Sequence, residues 1–446
     1  MIGVNVMEGR ESREILTSMP NILMVLAVVL IAASYSLLAG AAEPLSLEDS
    51  LKRLDASEAD LLAALSEVHE GRLEDGLNRV SNLVERNPEF RLAWLIYGDL
   101  LSAKSGRAGV NGIASGAAGI KLEGLQAEAK ARIENLRSLP PPGRLPAQLL
   151  QMSESQTRAL VFDASRYRVY VIERNGDGLS IARNYYTSAG RGGILKTREG
   201  DGKTPVGVYF VTSRLDRDTL PDLYGSGAFP VNYPNEWDAR LGRTGYGIWL
   251  HGVPSNTYSR VPTATLGCLA IPNSNFEALW DEIDVGNTPV IMADRVRWVD
   301  PAETRRRRDD FMFAFDQWKI DWQSLDFSRY ARHYSSEFRS GGENQKQWLR
   351  RKRRINAGKT FIRVAESDMS IFAYPMERDL LVVAFAQDYR SNNYQDSIRK
   401  RQYWRQETDG VWRIVYEDEV RFLPIHLRGM PPSARAGLTE GFWLPS

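Results

Sequence analysis

The sequence predicts a multidomain α+β protein, because its hydrophobic pattern changes twice along the chain. Its 446 residues exceed what one hydrophobic core usually organises. Apolar residues recur with helical spacing between Leu51 and Leu136, and a period of two begins near Ala159. After Asp300 a helical segment precedes several aromatic-rich strands. We therefore expect a helical module, a mostly β domain and an α+β domain, in that order.

The first part of the chain, residues 1–42, is a candidate export segment. An apolar run extends from Ile22 to Leu38, and small residues follow it, with Ala41 as the expected cleavage position. About seventeen apolar residues also suit an uncleaved anchor. We expect a periplasmic or other extracytoplasmic location, reached by signal cleavage or by inner-membrane anchoring through residues 22–38.

Residues 43–138 are predicted to form the helical module. Leu73, Leu77, Val80 and Val84 share one helical face, and residues 71–88 resemble one tetratricopeptide (TPR) unit. A single unit cannot bury its own apolar face, so we expect the helices to pack on a neighbour or to form a homodimer.

Two segments rich in glycine or proline separate these parts of the chain. The glycine- and alanine-rich residues 109–119 are predicted to be a loop. Residues 139–157, which begin with LPPPG, are predicted to be a linker.

The next segment, residues 158–298, is predicted to be a β domain. Short apolar runs separated by turn residues indicate strands at 160–162, 167–172, 206–211, 247–250 and 288–292. The GKT sequence at 202–204 mimics the end of a phosphate-binding loop. Thr197 occupies the place of that loop's first glycine, and Pro205 would disturb the following helix, so this interpretation is excluded.

Residues 305–425 are predicted to form a C-terminal α+β domain, followed by a tail at 426–446. A helix over 309–319 precedes strands at 371–374, 380–385, 399–404 and 412–415.

The composition argues against two classes of partner. The 57 basic and 56 acidic residues nearly cancel, so no bulk attraction to nucleic acid is expected. The four histidines, His69, His251, His333 and His426, are scattered, and there is one cysteine. No usual zinc-ligand spacing results, and neither a metal nor a cofactor is expected.

The most informative pair of residues is Cys268, the single cysteine, and His251 upstream of it. A lone thiol cannot form an intramolecular disulfide, so its presence in an exported chain favours a catalytic role. An imidazole can take the proton of a thiol whose usual pKa is about 8.5, and can return it to a leaving amine. Gly267 permits a close turn, and the amides around Gly267 and Cys268 are candidate oxyanion donors.

Two blocks of sequence resemble the YkuD-type L,D-transpeptidase family. Residues 249–252 read WLHG and residues 265–270 read TLGCLA, similar to the family's histidine followed by Ser/Thr-x-Gly-Cys. Upstream, residues 200–209 read GDGKTPVGVY, which matches the family's Gly-Asp-x-x-Thr-Pro-x-Gly-x-Tyr block. The resemblance extends from about Arg158 to Ala293.

The resemblance implies a mostly β catalytic domain that acts on peptidoglycan stem peptides of the meso-diaminopimelate type. Cys268 would attack the carbonyl of the diaminopimelate L-centre and expel the terminal D-Ala, leaving a thioester. An amine would then give a 3→3 cross-link, whereas water would give a tripeptide. His251 would be the base, oriented by the Gly252 carbonyl, while Thr265 and Gly267 would shape the nucleophile loop.

The sequence also departs from the commonest family motif, which has histidine before the glycine and arginine or asparagine two residues after the cysteine. Leu266 and Ala270 occupy these positions. The candidate substrate-binding residues are therefore Arg260, Trp249 and Asn273.

The C-terminal segment is similar to NTF2-like sequences, and the domain pair resembles a branch of cell-shape L,D-carboxypeptidases. Three functions remain open: an L,D-transpeptidase first, an L,D-carboxypeptidase second, and a non-catalytic peptidoglycan-binding scaffold third. The retained Cys268 and His251 argue against the scaffold.

Overall fold

A computed structural model describes residues 47–106, 117–176 and 178–420. The candidate export segment and the predicted tail at 426–446 lie outside these residues, as does most of the predicted loop at 109–119. No helix within the described ranges combines the length and the apolar character needed to cross a membrane. The described chain comprises a helical module, a β domain and an α+β domain, in the predicted order.

The N-terminal module consists of α1 (Leu47–Leu51), α2 (Ala56–His69), α3 (Leu73–Arg86), α4 (Arg91–Lys104) and α5 (Ala117–Arg137). Asp55 caps α2 by accepting hydrogen bonds from the amides of Ser57 and Glu58, both at 3.1 Å. Residues 117–119, predicted to end a loop, instead begin α5.

The apolar face of these helices is covered within the chain. Val80 of α3 and Ile96 of α4 are buried in one cluster with Ile133 of α5, and Tyr258 of the next domain packs against that cluster. The surface that motivated the homodimer prediction is thus largely occupied. The dimer itself stays a prediction, and so does the TPR-like character of the helices.

The β domain and the segment before it contain fourteen described strands and two described α-helices. The strands are β1 (Leu145–Pro146), β2 (Leu149–Gln151), β3 (Arg158–Asp163), β4 (Arg168–Asn175), β5 (Gly178–Tyr186), β6 (Ala189–Gly190), β7 (Gly207–Phe210), β8 (Leu215–Asp216), β9 (Gly227–Pro230), β10 (Trp249–His251), β11 (Thr263–Thr265), β12 (Leu269–Ala270), β13 (Pro289–Ala293) and β14 (Trp298–Val299). The helices are α6 (Glu236–Arg240) and α7 (Asn273–Leu279).

Two sheets enclose the core of the β domain. One has five strands in the order β5-β4-β3-β13-β7, and the other has four in the order β12-β10-β9-β8. Strands β10 and β12 run parallel, as do β11 and β6 in a short separate pair. Apolar side chains from both sheets and from α7 fill the space between them, among them Phe162, Tyr209, Phe229, Leu250 and Phe276.

The C-terminal domain packs one long helix on an antiparallel sheet. Its helices are α8 (Pro301–Gln323), α9 (Phe327–Ala331) and α10 (Gln345–Asn356), and its strands are β15 (Arg339–Ser340), β16 (Glu343–Asn344), β17 (Ile362–Ala373), β18 (Leu380–Ser391), β19 (Gln395–Gln406) and β20 (Trp412–Glu419). Phe311, Phe315 and Trp318 recur at helical spacing on α8 and are fully buried against the sheet.

The segment predicted as a linker, residues 139–157, is paired to both folded domains that follow it. Strand β1 pairs with β14, and β2 forms the edge of the C-terminal sheet, whose order is β2-β17-β18-β19-β20. The outer face of the five-stranded sheet packs on this C-terminal sheet through a shared apolar cluster, which includes Tyr170, Phe210, Trp237, Phe372 and Tyr403.

A buried ionic network joins the helical module to the β domain. Glu58 of α2 accepts hydrogen bonds from Arg168 of β4, and lies 3.0 Å from a guanidinium nitrogen of Arg132 on α5. All three side chains are buried. Burial alone would raise the pKa of Glu58, but the two guanidinium groups outweigh it and hold this pKa below its usual range.

We predict that Glu58→Ala destabilises the helical module by about 3–5 kcal/mol, because it leaves Arg168 buried without its carboxylate. The measurement is the urea midpoint of unfolding followed by far-UV circular dichroism. Glu48→Ala is the control: Glu48 lies 3.0 Å from Lys52 in an exposed pair, which water screens. Equal midpoints for the two variants would contradict the assignment.

Candidate active site

The parallel pairing of β10 with β12 brings the predicted base and nucleophile to one face of a sheet. His251 pairs with Ala270, so Trp249, two residues earlier, lies opposite Cys268. Paired residues point to the same side of a sheet, and side chains alternate along a strand. His251, Trp249 and Cys268 therefore share one face, and the Trp249 backbone lowers the pKa of the Cys268 thiol.

Thr265 closes the loop that presents the half-buried thiol. Its Oγ1 donates to the Cys268 carbonyl at 2.7 Å and accepts from the Gly267 amide at 3.1 Å. Gly267 has φ +128°, and a Cβ there would lie 2.6 Å from the Lys203 carbonyl oxygen, so a glycine is required. Because its amide is committed to Thr265, Gly267 shapes this loop but does not offer the oxyanion donor that the sequence predicted.

The imidazole of His251 is held in one tautomer. Its Nδ1 lies 2.6 Å from the Gly252 carbonyl oxygen. A carbonyl oxygen only accepts, so Nδ1 carries the proton and Nε2 keeps a lone pair. Gly252 in turn has room for no side chain, since a Cβ would lie 2.2 Å from Oδ1 of Asn273.

Asn273 braces the chain that follows the histidine. Its Oδ1 accepts from the amides of Ser226 and Val253, both at 3.0 Å, and its Nδ2 donates to the Val253 carbonyl at 2.9 Å. These are the contacts of a positioning residue. Substrate binding by Asn273 stays a prediction.

Two cations act on the thiol. Arg260, predicted to bind substrate, donates to the Ala264 carbonyl at 2.7 Å, and its charge lowers the pKa of both Cys268 and His251. Lys196 also lowers the pKa of Cys268. Lys196 forms a 2.9 Å ion pair with Asp201, which belongs to the GDGKTP block at residues 200–205. This ion pair links that sequence block to the active site.

The sequence analysis missed Lys196 and Tyr224. The Tyr224 ring lies 5.1 Å from that of His251 and 4.8 Å from that of Trp249, measured between centroids. No sequence signal links Tyr224 to the histidine. Lys196 could have been predicted from the sequence, because it lies five residues before Asp201, the carboxylate with which it pairs.

Burial determines the resting charge of the pair. It raises the pKa of the Cys268 thiol to about 11, although the Trp249 amide, Arg260 and Lys196 act in the opposite direction. Burial also lowers the pKa of His251 to about 4. At neutral pH both groups are uncharged, and the thiol donates to the Gly247 carbonyl at 3.3 Å. Proton transfer must therefore accompany attack on a substrate.

The arrangement suits acyl transfer by a thiol with an imidazole base. Among the side chains that the structure describes, no cluster of three or more His, Cys, Asp or Glu could hold a metal ion.

We predict that the alkylation rate of Cys268 by iodoacetamide rises about tenfold per pH unit between pH 6 and 10, because only the thiolate reacts and its pKa is near 11. Mass spectrometry of the intact protein measures this rate without background, since the chain has one cysteine. A rate plateau between pH 5 and 8 would instead indicate a thiolate–imidazolium pair and contradict the neutral resting state.

Comparisons with known proteins agree with this geometry. A family model, YkuD, described as the L,D-transpeptidase catalytic domain, matches residues 157–292, which include His251 and Cys268. A second, described as the Cds6 C-terminal NTF2-like domain, matches residues 310–418. The helical module lies outside both matches. A search among curated protein sequences gave no match.

Two solved structures are similar over about three fifths of this chain. Bd1075 from Bdellovibrio bacteriovorus is 32% identical over 63% of this chain and 99% of its own, with a TM-score of 0.55. Pgp2 from Campylobacter jejuni, described as a helical cell shape determining protein, is 25% identical over 61% of this chain and 95% of its own, with a TM-score of 0.52. The chain therefore belongs to the YkuD L,D-transpeptidase family and carries a C-terminal NTF2-like domain.

Proposed function

We propose that this protein is a peptidoglycan L,D-transpeptidase that acts on stem tetrapeptides through a thioester at Cys268. The observation that carries the proposal is the shared face of His251 and Cys268, with Nε2 of the imidazole free to accept the thiol proton. Both residues lie within the matched catalytic domain.

The first step forms the acyl-enzyme. Nε2 of His251 takes the proton from Sγ of Cys268 while Sγ bonds to the carbonyl carbon of the diaminopimelate L-centre. The bond from that carbon to the D-Ala nitrogen breaks, and the imidazolium returns the proton to the leaving amine. Since Gly267 uses its amide internally, the amide of Cys268 is the candidate oxyanion donor.

Substrate recognition is assigned to Arg260 and to the aromatic wall beside it. Burial lowers the pKa of Arg260, so a substrate carboxylate would find a cation that is poorly compensated nearby. Trp249 packs on Tyr224 next to the imidazole and offers an apolar surface to the stem peptide. Leu266, where the commonest family motif has histidine, is 66% exposed.

The second step distinguishes the two catalytic candidates. An amine of another stem would attack the thioester carbonyl, give its proton to His251 and release the Cys268 thiol with a 3→3 cross-link. Water in the same role would release a tripeptide. Similarity to Pgp2, described as a cell shape determining protein, favours this L,D-carboxypeptidase as the second candidate.

A non-catalytic scaffold is the weakest alternative, because the base, its orienting carbonyl and the nucleophile loop are all in place.

Peptidoglycan lies outside the cytoplasmic membrane, so the proposal requires export. We assign export to residues 1–42, with residues 22–38 as a signal or an inner-membrane anchor.

We predict that the purified protein removes D-Ala from a disaccharide tetrapeptide of the diaminopimelate type, measured by liquid chromatography and mass spectrometry. A cross-linked dimer beside free D-Ala identifies the transpeptidase, and tripeptide alone identifies the carboxypeptidase. Cys268→Ala is the control and should lose at least about a thousandfold in rate, because no other thiol is present. No reaction from folded wild-type protein would sink both catalytic candidates.

We also predict that a carbapenem acylates Cys268, since a thiol that attacks an amide carbonyl should open a strained lactam. The intact mass should increase by the mass of one carbapenem, and Cys268→Ala should show no increase. Absence of the adduct on protein that is active toward tetrapeptide would contradict this.

A further inference from the structure

The helical module contacts the active-site loop that carries Arg260. This Arg260 loop, residues 254–262, connects β10 with β11. The amide of Tyr258 in the loop donates to the carbonyl of Glu89 at 3.1 Å, and the Tyr258 ring lies 4.2 Å from that of Phe90. The segment that leads into α4 is therefore one wall against which the loop rests.

Two residues one turn apart on α5, Glu128 and Arg132, hold the loop next to Arg260 itself. Glu128 Oε1 accepts a hydrogen bond of 2.6 Å from the hydroxyl of Ser259. The Arg132 guanidinium lies 4.0 Å from the centroid of the Tyr186 ring, and the Tyr186 hydroxyl donates to the Arg260 carbonyl at 2.9 Å. The backbone on both sides of the Arg260 Cα is thus tied, directly or through Tyr186, to α5.

The two side chains of α5 that make these contacts are buried and charged. Glu128 and Arg132 are 1% and 0% exposed, and they pair with each other at 2.8 Å. Arg132 also joins Glu58 and Arg168 in the network described above. Moving α5 away from the loop would also separate Arg132 from Glu58, and weakening a buried ionic network in this way is unfavourable.

We propose that the helical module is a positioning element of the active site, in which Glu128 and Arg132 hold the Arg260 loop and so fix its guanidinium against the Ala264 carbonyl, in the segment that leads to Cys268. The part that Arg260 plays toward substrate rests on the proposed function. The effect of the Arg260 charge on the Cys268 thiol is independent of the proposed function. The module is thereby a part of the catalytic unit that neither family match includes.

The test uses the reactivity of the single thiol in the full chain. Arg260, Lys196 and the Trp249 amide all favour the thiolate. Ser259→Ala removes the bond to Glu128 without leaving a buried charge unpaired, because Glu128 keeps Arg132. If Arg260 then moves away, the thiol pKa rises. Alkylation by iodoacetamide at pH 8.5 should slow about threefold, the effect of half a pKa unit on the thiolate fraction.

Three comparison variants complete the test. Arg260→Ala should slow alkylation at least as much as Ser259→Ala, and the double variant should match Arg260→Ala alone, because both changes act through one guanidinium. Ser66→Ala is the matched control: it removes a serine–glutamate hydrogen bond of 3.0 Å to Glu70, the residue that follows α2, far along the chain from the loop. It should alkylate at the wild-type rate.

Several results would overturn the positioning role. These are a wild-type rate for Ser259→Ala or Arg260→Ala, an undiminished Ser259→Ala effect in the Arg260→Ala background, or equal slowing by Ser66→Ala. Alkylation needs no stem peptide, so failure of the proposed function would show separately, as absent tetrapeptide turnover by wild-type protein. With turnover present, Ser259→Ala should raise KM more than it lowers kcat.

Discussion

The parallel pairing of β10 with β12 is the constraint on which the site depends. It places a histidine at the end of one strand beside a cysteine that precedes the other, although the two are separated by the whole Arg260 loop. A parallel pair needs such a crossover connection, because the chain must return to the same end of the sheet. The loop that this topology requires is also the one that supplies Arg260, whose charge lowers the pKa of the thiol.

Burial gives the site its second property, a pair that carries no charge until substrate arrives. Separate charges on thiolate and imidazolium would be costly in this environment, so the protein keeps thiol and imidazole neutral and surrounds the sulfur with groups that favour the thiolate. Those groups, the Trp249 backbone, Arg260 and Lys196, come from three different segments. Tertiary structure therefore assembles the site around the short sequence motif that contains Cys268. The motif alone does not determine the charges that surround the thiol.

The contrast between a local motif and groups that come from distant segments explains how much of the site the sequence could predict. The choice of Cys268 and His251 and the domain order follow from local signals, namely a unique thiol, strand periodicity and motif spacing. The two family matches agree with the order of the last two domains. Tyr224 and the contact of Glu128 with Ser259 depend on long-range packing, which leaves no periodic trace in the chain. Gly267 shows the limit within the motif itself, because only the structure reveals that Thr265 occupies its amide.

The short strand β2 has a consequence for how the chain is made. It completes the edge of the C-terminal sheet, where Gln151 donates to the carbonyl of Met369 at 2.9 Å across 218 positions of sequence. This strand is synthesised long before its partner, and the catalytic domain lies between them. The C-terminal sheet is thus completed by a segment made before that domain, so it cannot close until the catalytic domain between its strands has been synthesised. A fragment beginning at α8 would expose β17 as an unpaired edge, and such edges promote aggregation.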